Sequence, residues 1–147
     1  MMEPTHCNGS NERLALDLSC RGKGVFRYKK PLDEIRSEVK RFAVSQGFSL
    51  EVEDITLAVQ EACKNIIQHA RPVDGKMHVE CRVSDGRILI EVSDNGRGFD
   101  VGVLEHDIAS PMAIYGRGIK LMKGLMDEFG ITSGREGTTV RMEKKRS

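Results

Sequence analysis

Three polar residues, Glu61, Asn65 and His69, recur at a spacing of four along a stretch with helical periodicity. Because each residue of an α-helix advances about 100° around the axis, this spacing places them along one side of a helix, beside an apolar stripe centred on Ala62. A carboxylate can accept a proton, and an amide oxygen can bind a hard cation. Half-exposed polar residues at the border of a core are the alternative interpretation.

A glycine-rich segment, SDNGRGFD at positions 93–100, directly follows a predicted strand. Gly96 and Gly98 carry no side chain and can adopt positive φ, so a flat ligand can approach the backbone there. Asp94 can accept a hydrogen bond from such a ligand. An Asp-Asn-Gly turn between two elements is the other interpretation of this segment.

Two further segments can contact a ligand. Gly116, Arg117 and Gly118 precede a predicted helix, and free N–H groups at a helix N-terminus bind phosphate. A glycine hinge that leads into a helix is the alternative. Thr138 and Thr139 begin the final predicted strand, where a hydroxyl can bond a buried ligand, although threonine also favours strands in general. P-loop and eukaryotic-type kinase signatures do not occur in the sequence.

Hydrophobic periodicity predicts the elements that position these residues. Residues 1–11 form a polar tail without a period, and residues 94–116 contain no sustained period. The basic end at 144–146 is expected to be solvated. Strands are predicted at 14–18, 25–28, 77–83, 88–92, 131–133 and 138–142, and helices at 31–46, 55–70 and 118–129, the last one stopped by Gly130.

The order of these elements predicts an α+β fold for a single domain at 12–147. Strands occur in hairpins, one of them joined by Asp85-Gly86, and do not alternate singly with helices. We therefore expect a two-layer sandwich, with a mainly antiparallel sheet and the helices on one face.

Composition excludes several classes of protein. The 147 residues include 23 Lys and Arg and 22 Asp and Glu, and this near balance of charge argues against direct binding of nucleic acid. The absence of Trp argues against a base-stacking surface. Because the sequence shows neither a signal peptide nor a membrane span, we expect a cytoplasmic protein that does not bind membranes. Cys7, Cys20, Cys63 and Cys81 lack zinc-ligand spacing and are expected to be reduced thiols.

The motifs together are more specific than any one of them. In order, the chain gives ExxxN on a helix, DxGxGF after a strand, GxG into a helix and GTT in a final strand. This order resembles the GHKL, or Bergerat-fold, ATP-binding superfamily, over about residues 14–142. Within it, EACKNIIQHA at 61–70 and GRGI at 116–119 are most similar to the anti-sigma factor serine-protein kinases of bacterial partner-switching systems.

The resemblance implies the histidine kinase-like ATPase fold, with ATP and Mg²⁺ as cofactors. Glu61 matches the general base, Asn65 the Mg²⁺ ligand and Asp94 the acceptor for the adenine amino group. Residues 100–115 match the ATP lid. The other implied nucleotide contacts are Gly96, Gly98, Gly116, Arg117, Gly118 and Thr138, with Thr139 as the alternative to Thr138.

The resemblance also implies a function in transcription control. A homodimeric kinase of this type phosphorylates a serine on a STAS-type anti-sigma factor antagonist and sequesters a sigma factor. Arg36 falls near the partner-contacting arginine of that family. An ATP-binding regulatory module that binds protein partners without phosphoryl transfer remains an alternative. A histidine-kinase fragment is a further one, although no dimerisation helices with a phosphoacceptor histidine precede the motifs.

Overall fold

The computed structural model describes residues 12–19, 29–67, 76–94, 113–134 and 137–147. The predicted tail at 1–11 and the predicted strand at 25–28 lie outside these ranges. Within them, the chain forms five strands and three helices. In chain order they are β1 (Glu12–Ser19), α1 (Lys29–Ser45), α2 (Val52–Asn65), β2 (Lys76–Ser84), β3 (Arg87–Asp94), α3 (Ala113–Leu125), β4 (Glu128–Gly134) and β5 (Gly137–Lys145).

The strands form one sheet in the order β1-β2-β3-β5-β4, and every neighbouring pair is antiparallel. Side chains alternate between the two faces of a strand, and β2 and β3 bury every second residue. These buried residues join those of the three helices in one core. The predicted α+β sandwich, with an antiparallel sheet and helices on one face, is therefore confirmed.

The turn between β2 and β3 follows its sequence prediction. Asp85 has a φ of 53° and Gly86 a φ of 72°, the two consecutive positive values that a type I′ hairpin turn requires. Ser84 and Arg87 pair directly across this turn. The turn therefore fixes the register that places Asp94 at the end of β3.

Helices α1 and α2 carry the predicted apolar faces. Helix α1 begins at Lys29, two residues before the predicted start at Pro31. Proline is tolerated in the first turn of a helix because the N–H groups there have no acceptor within the helix. It stops where predicted, before Gly47, whose φ of 89° suits the left-handed position after a helix. The Phe48 N–H then bonds the Ala43 carbonyl at 2.9 Å.

Helix α3 differs from its prediction at both ends. It begins at Ala113, five residues before the expected start near Gly118, and ends at Leu125. Phe129, expected in the helix, lies instead in β4, opposite Met142 of β5. Pairing with β5 outweighs the helical period there, and the Lys144 ammonium caps the Leu125 carbonyl at 2.6 Å.

Lys145 and Arg146 are exposed, as expected of the basic end of the chain, but this end also makes specific contacts that the sequence did not predict. We call residues 144–147 the C-terminal clasp. The Arg146 N–H bonds the Gly86 carbonyl at 2.8 Å, and its guanidinium lies 5.6 Å from the centre of the Phe48 ring. Both the N–H and the hydroxyl of Ser147 donate to Glu51 Oε2. The clasp therefore joins the turn between α1 and α2 to the β2–β3 hairpin.

Polar pairs on the outer face of the sheet tie strand β1 to β2. Arg13 donates two hydrogen bonds to Glu80, at 3.0 and 3.2 Å. Asp17 lies 2.6 Å from His78 Nδ1, and this contact raises the pKa of His78. Exposed pairs of this kind each contribute at most about 1 kcal/mol, so the buried face of the sheet dominates its stability.

Two of the cysteines lie in the described ranges. Cys63 and Cys81 are both buried and free of disulfides, and burial raises the pKa of the Cys81 thiol to about 12. These two follow the expectation of reduced thiols. Among the helices that the structure describes, none has the length and apolar character needed to cross a membrane.

Candidate active site

Glu61 and Asn65 lie one turn apart at the C-terminal end of α2, where α3 packs against it. The contact is closest at Gly118 of α3. A β-carbon built on Gly118 would lie 3.2 Å from Glu61 Oε1 and 3.7 Å from both amide atoms of Asn65. A side chain at Gly118 would therefore crowd Glu61 Oε1 and touch Asn65 at an ordinary van der Waals distance, so glycine leaves the most room beside Glu61.

Asn65, the last residue of α2, is 4% exposed, which is unusual because asparagine side chains are mostly exposed. Its Nδ2 is buried and makes no hydrogen bond within the described part of the chain. A buried amide atom without a partner costs about 1–3 kcal/mol, so this arrangement suits a residue whose partner is a ligand. A rotation of the amide exchanges its nitrogen and oxygen, so either a donor or an acceptor can face that ligand. The residue therefore fits a role in holding Mg²⁺ or a phosphate.

Glu61 is less buried than Asn65, with 21% of its side chain exposed. One oxygen, Oε1, lies towards Gly118, and the other, Oε2, lies 3.5 Å from the Lys64 ammonium. A carboxylate in this position is held by its neighbours but remains accessible from solvent. The geometry therefore suits a proton acceptor for a group that arrives from outside the protein.

A second cluster of polar residues lies where the ends of β3, β4 and β5 meet. Asp94 Oδ1 accepts a hydrogen bond of 2.8 Å from the Thr138 N–H. Thr138 is 1% exposed, and its hydroxyl lies 2.6 Å from the Ser133 hydroxyl. The structure therefore brings Asp94 and Thr138 together across 44 residues of chain. Thr139, the alternative to Thr138, is less buried.

The expected phosphate turn is placed differently from its prediction. Gly116, Arg117 and Gly118 lie inside α3, which begins at Ala113, and do not precede the helix. Beyond the first turn, the N–H groups of a helix bond its own carbonyls, so the argument from free N–H groups does not apply to Gly118. Glycine is tolerated within α3 because close packing on α2 offsets its low helix propensity.

Other predicted site residues fall outside the described part of the chain. They are His69, Gly96 and Gly98, together with the lid positions 100–112; the last three lid positions, 113–115, belong to α3. Two residues at the site escaped sequence reasoning, Lys64 beside Glu61 and Ser133 beside Thr138. The spacing of three between Glu61 and Lys64 on a predicted helix was a usable signal for the first pair.

Comparison with known proteins places this chain in a family. Residues 29–144 match the histidine kinase-like ATPase domain. Serine-protein kinase RsbW from Bacillus thuringiensis (strain Al Hakam) is 36% identical over 120 residues, which cover 75% of this chain and 74% of the relative. RsbW from Bacillus cereus (strain 03BB102) shows the same identity and coverage.

Solved structures share the fold. The RsbU and RsbW domains of Rv1364c from Mycobacterium tuberculosis match 90% of this chain with a TM-score of 0.67 and 18% identity. This chain spans 31% of that structure. The histidine kinase domain of the blue-light activated histidine kinase from Erythrobacter litoralis EL346 matches 78% of this chain and 63% of its own length, with a TM-score of 0.52 and 20% identity. On its sequence and its fold, the chain belongs to the histidine kinase-like ATPase family and, within it, to the RsbW serine-protein kinases.

Proposed function

We propose that this serine-protein kinase transfers the γ-phosphoryl group of ATP to a serine of an anti-sigma factor antagonist. The observation that carries the proposal is the pairing of Glu61 and Asn65 against Gly118, where α2 meets α3. It combines an accessible carboxylate with a buried amide whose Nδ2 makes no hydrogen bond to any described residue. Phosphoryl transfer needs mainly positioning and charge neutralisation, and this pair supplies one group for each requirement.

In the proposed reaction, Glu61 accepts the proton of the incoming serine hydroxyl. The serine oxygen forms a bond to the γ-phosphorus, and the bond between that phosphorus and the β–γ bridging oxygen breaks. ADP leaves with the electron pair of the broken bond. The exposure of Glu61 supports this role, because a serine on another protein has to reach its carboxylate.

Asn65 is the residue that would hold Mg²⁺, with the nucleotide phosphates and water as its other ligands. When bound, the ion neutralises negative charge on those phosphates. Asp94 would accept a hydrogen bond from the adenine amino group, and Thr138, bonded to Asp94, would support the base from β5. The remaining proposed nucleotide contacts are Gly96, Gly98, Gly116, Arg117 and Gly118.

The proposed partners are proteins. The antagonist is expected to be of the STAS type, and its phosphorylation would release it and leave the kinase free to bind a sigma factor. We propose a cytoplasmic homodimer for this state. Arg36 is exposed on α1 and is available for a partner contact. Support for this scheme comes from the RsbW relatives, which are named as serine-protein kinases.

A transfer assay tests the proposal. The purified protein is incubated with labelled Mg-ATP and a panel of purified STAS-domain proteins from the same genome, and phosphoserine is measured. Glu61→Gln is expected to reduce transfer by roughly 10²–10⁴-fold without loss of ATP binding, because it removes the proton acceptor but keeps the shape. Glu53→Gln, an exposed position on the same helix, is the matched control.

Two outcomes would contradict the proposal, the first its kinase activity and the second the role of Glu61. One is ATP binding with no phosphoserine on any member of the panel, which would favour the nucleotide-dependent binding module. The other is full transfer by Glu61→Gln, which would remove Glu61 from the reaction.

A further inference from the structure

Lys64, Glu61 and Asn65 form a row on helix α2 that runs from solvent to the interior. The side chain of Lys64 is 42% exposed and that of Glu61 is 21% exposed, whereas Asn65 as a residue is 4% exposed. A spacing of three puts Lys64 on one flank of Glu61, and a spacing of four puts Asn65 on the other. Lys64 is therefore a charged side chain on the solvent side of the proposed proton acceptor.

The Glu61 carboxylate is bounded on two sides. Its Oε1 faces the backbone of Gly118, where a β-carbon would lie only 3.2 Å away. Its Oε2 lies 3.5 Å from the Lys64 ammonium. The contact with α3 limits where the carboxylate can go, and the ion pair with Lys64 favours one of the remaining positions.

We propose that Lys64 is a positioning residue for phosphoryl transfer, which holds the Glu61 carboxylate against Gly118 through an ion pair with Oε2. The inference rests on the proposed kinase function and adds to it a residue that acts through the proton acceptor. A general base works only within hydrogen-bond reach of the proton that it removes, so restricting its side chain raises the fraction of productive encounters.

The expected effect is small because the ion pair is half-exposed. Pairs of this kind are screened by water, and their loss changes an equilibrium by at most about fivefold. Lys64→Met keeps most of the length of the side chain but removes its charge. We expect it to lower kcat about two- to fivefold and to leave the KM for ATP within about twofold of the unmodified protein.

The experiment measures steady-state transfer to the best STAS-domain substrate for the unmodified protein, Lys64→Met and Lys64→Arg. Lys64→Arg retains the positive charge and is expected to restore kcat to within about twofold. Lys40→Met, at an exposed position on α1, is the matched control and should behave as the unmodified protein. Thermal unfolding of each variant confirms that it is folded.

Three results would overturn the inference. An unchanged kcat in Lys64→Met would show that the ion pair does not position Glu61. A raised KM for ATP with unchanged kcat would make Lys64 a nucleotide contact. A failure of Lys64→Arg to restore kcat would show that the positive charge at position 64 does not determine kcat. Failure of the proposed function is distinguishable, because the unmodified protein would then phosphorylate no substrate.

Discussion

At the N-terminal end of helix α2, Glu51 is 5% exposed, and one of its oxygens accepts two hydrogen bonds from Ser147 of the C-terminal clasp. At the other end, about 21 Å away along the axis, Asn65 is 4% exposed. Each side chain has one buried atom without a hydrogen-bond partner in the described ranges, Oε1 of Glu51 and Nδ2 of Asn65. The surroundings of the two residues nevertheless differ.

Around Glu51, the chain supplies its own closing contacts. The clasp reaches the turn between α1 and α2 through Gln46, Phe48 and Glu51. At the other end, Asn65 lies one turn from Glu61 and next to the bare backbone of Gly118. Within the described ranges, one end of the helix is therefore closed by contacts from the C-terminal clasp, and the other keeps a buried amide atom without such a contact. The comparison predicts that substitutions at the first end affect mainly stability and those at the second mainly activity.

The largest expected effect tests the clasp end. Phe48 is fully buried beneath the Arg146 guanidinium, so Phe48→Ala is expected to lower the free energy of unfolding by about 3–5 kcal/mol. Urea unfolding measures this change, and the KM for ATP of the folded protein should stay within about twofold. Leu50→Ala is the matched control, because Leu50 is 84% exposed and its truncation should cost less than about 0.5 kcal/mol. A large rise in the KM for ATP in Phe48→Ala would break the comparison.

The second-largest expected effect tests the Asn65 end of helix α2. Asn65→Ala is expected to reduce transfer at least about 100-fold, because it removes the proposed Mg²⁺ ligand. The free energy of unfolding should change by less than about 1 kcal/mol, because the cavity left by the truncation offsets the relief of an Nδ2 atom that has no hydrogen bond in the described residues. The transfer assay and urea unfolding give the two measurements, and Mg²⁺-dependent ATP binding shows whether the loss of transfer follows a loss of the nucleotide.

A buried polar residue nearer the other end of α2 provides the control for Asn65→Ala. Thr56 bonds the Val52 carbonyl at 2.9 Å, so Thr56→Val should cost about 0.5–1.5 kcal/mol of stability and leave transfer unchanged. If Asn65→Ala destabilised the protein as much as Thr56→Val but left transfer intact, Asn65 would be a structural residue.

The smallest expected effect concerns pH. Hydrogen bonds from Ser147 lower the pKa of Glu51, so the folded state binds a proton there less readily than the unfolded state. Its contribution to stability is therefore present above the unfolded pKa of about 4.3 and is lost as pH falls through the lower folded value. Urea unfolding between pH 7 and pH 3 should show a smaller loss of stability in Glu51→Gln than in the unmodified protein.

Ser147→Ala sharpens the pH experiment. It removes the hydroxyl donor but keeps the backbone N–H donor to Glu51. The pH dependence of the free energy of unfolding should therefore fall between that of the unmodified protein and that of Glu51→Gln. Equal pH dependence in all three proteins would mean that the Glu51 contact with the clasp contributes nothing to acid stability.

The local elements were largely predictable because their patterns are short-range. The period of two in β2 and β3, and the Asp85-Gly86 turn between them, predicted a hairpin that the structure confirms. The apolar stripe of α2 predicted the buried face that carries Ile55, Ala58 and Ala62. The C-terminal end of α3 was misplaced because β4 begins at Glu128, where hairpin pairing with β5 outweighs the local helical periodicity.

Residue types and spacings alone determined which residues are candidates for chemistry and that the fold is an antiparallel sheet covered by helices. Only the tertiary structure decided that Gly118 lies against Glu61 and Asn65, that Asp94 bonds Thr138, and that the basic C-terminus closes over Phe48. Spacing along one element specifies a face, because backbone geometry is periodic. Contacts between elements depend on packing across the whole core, which no local pattern contains.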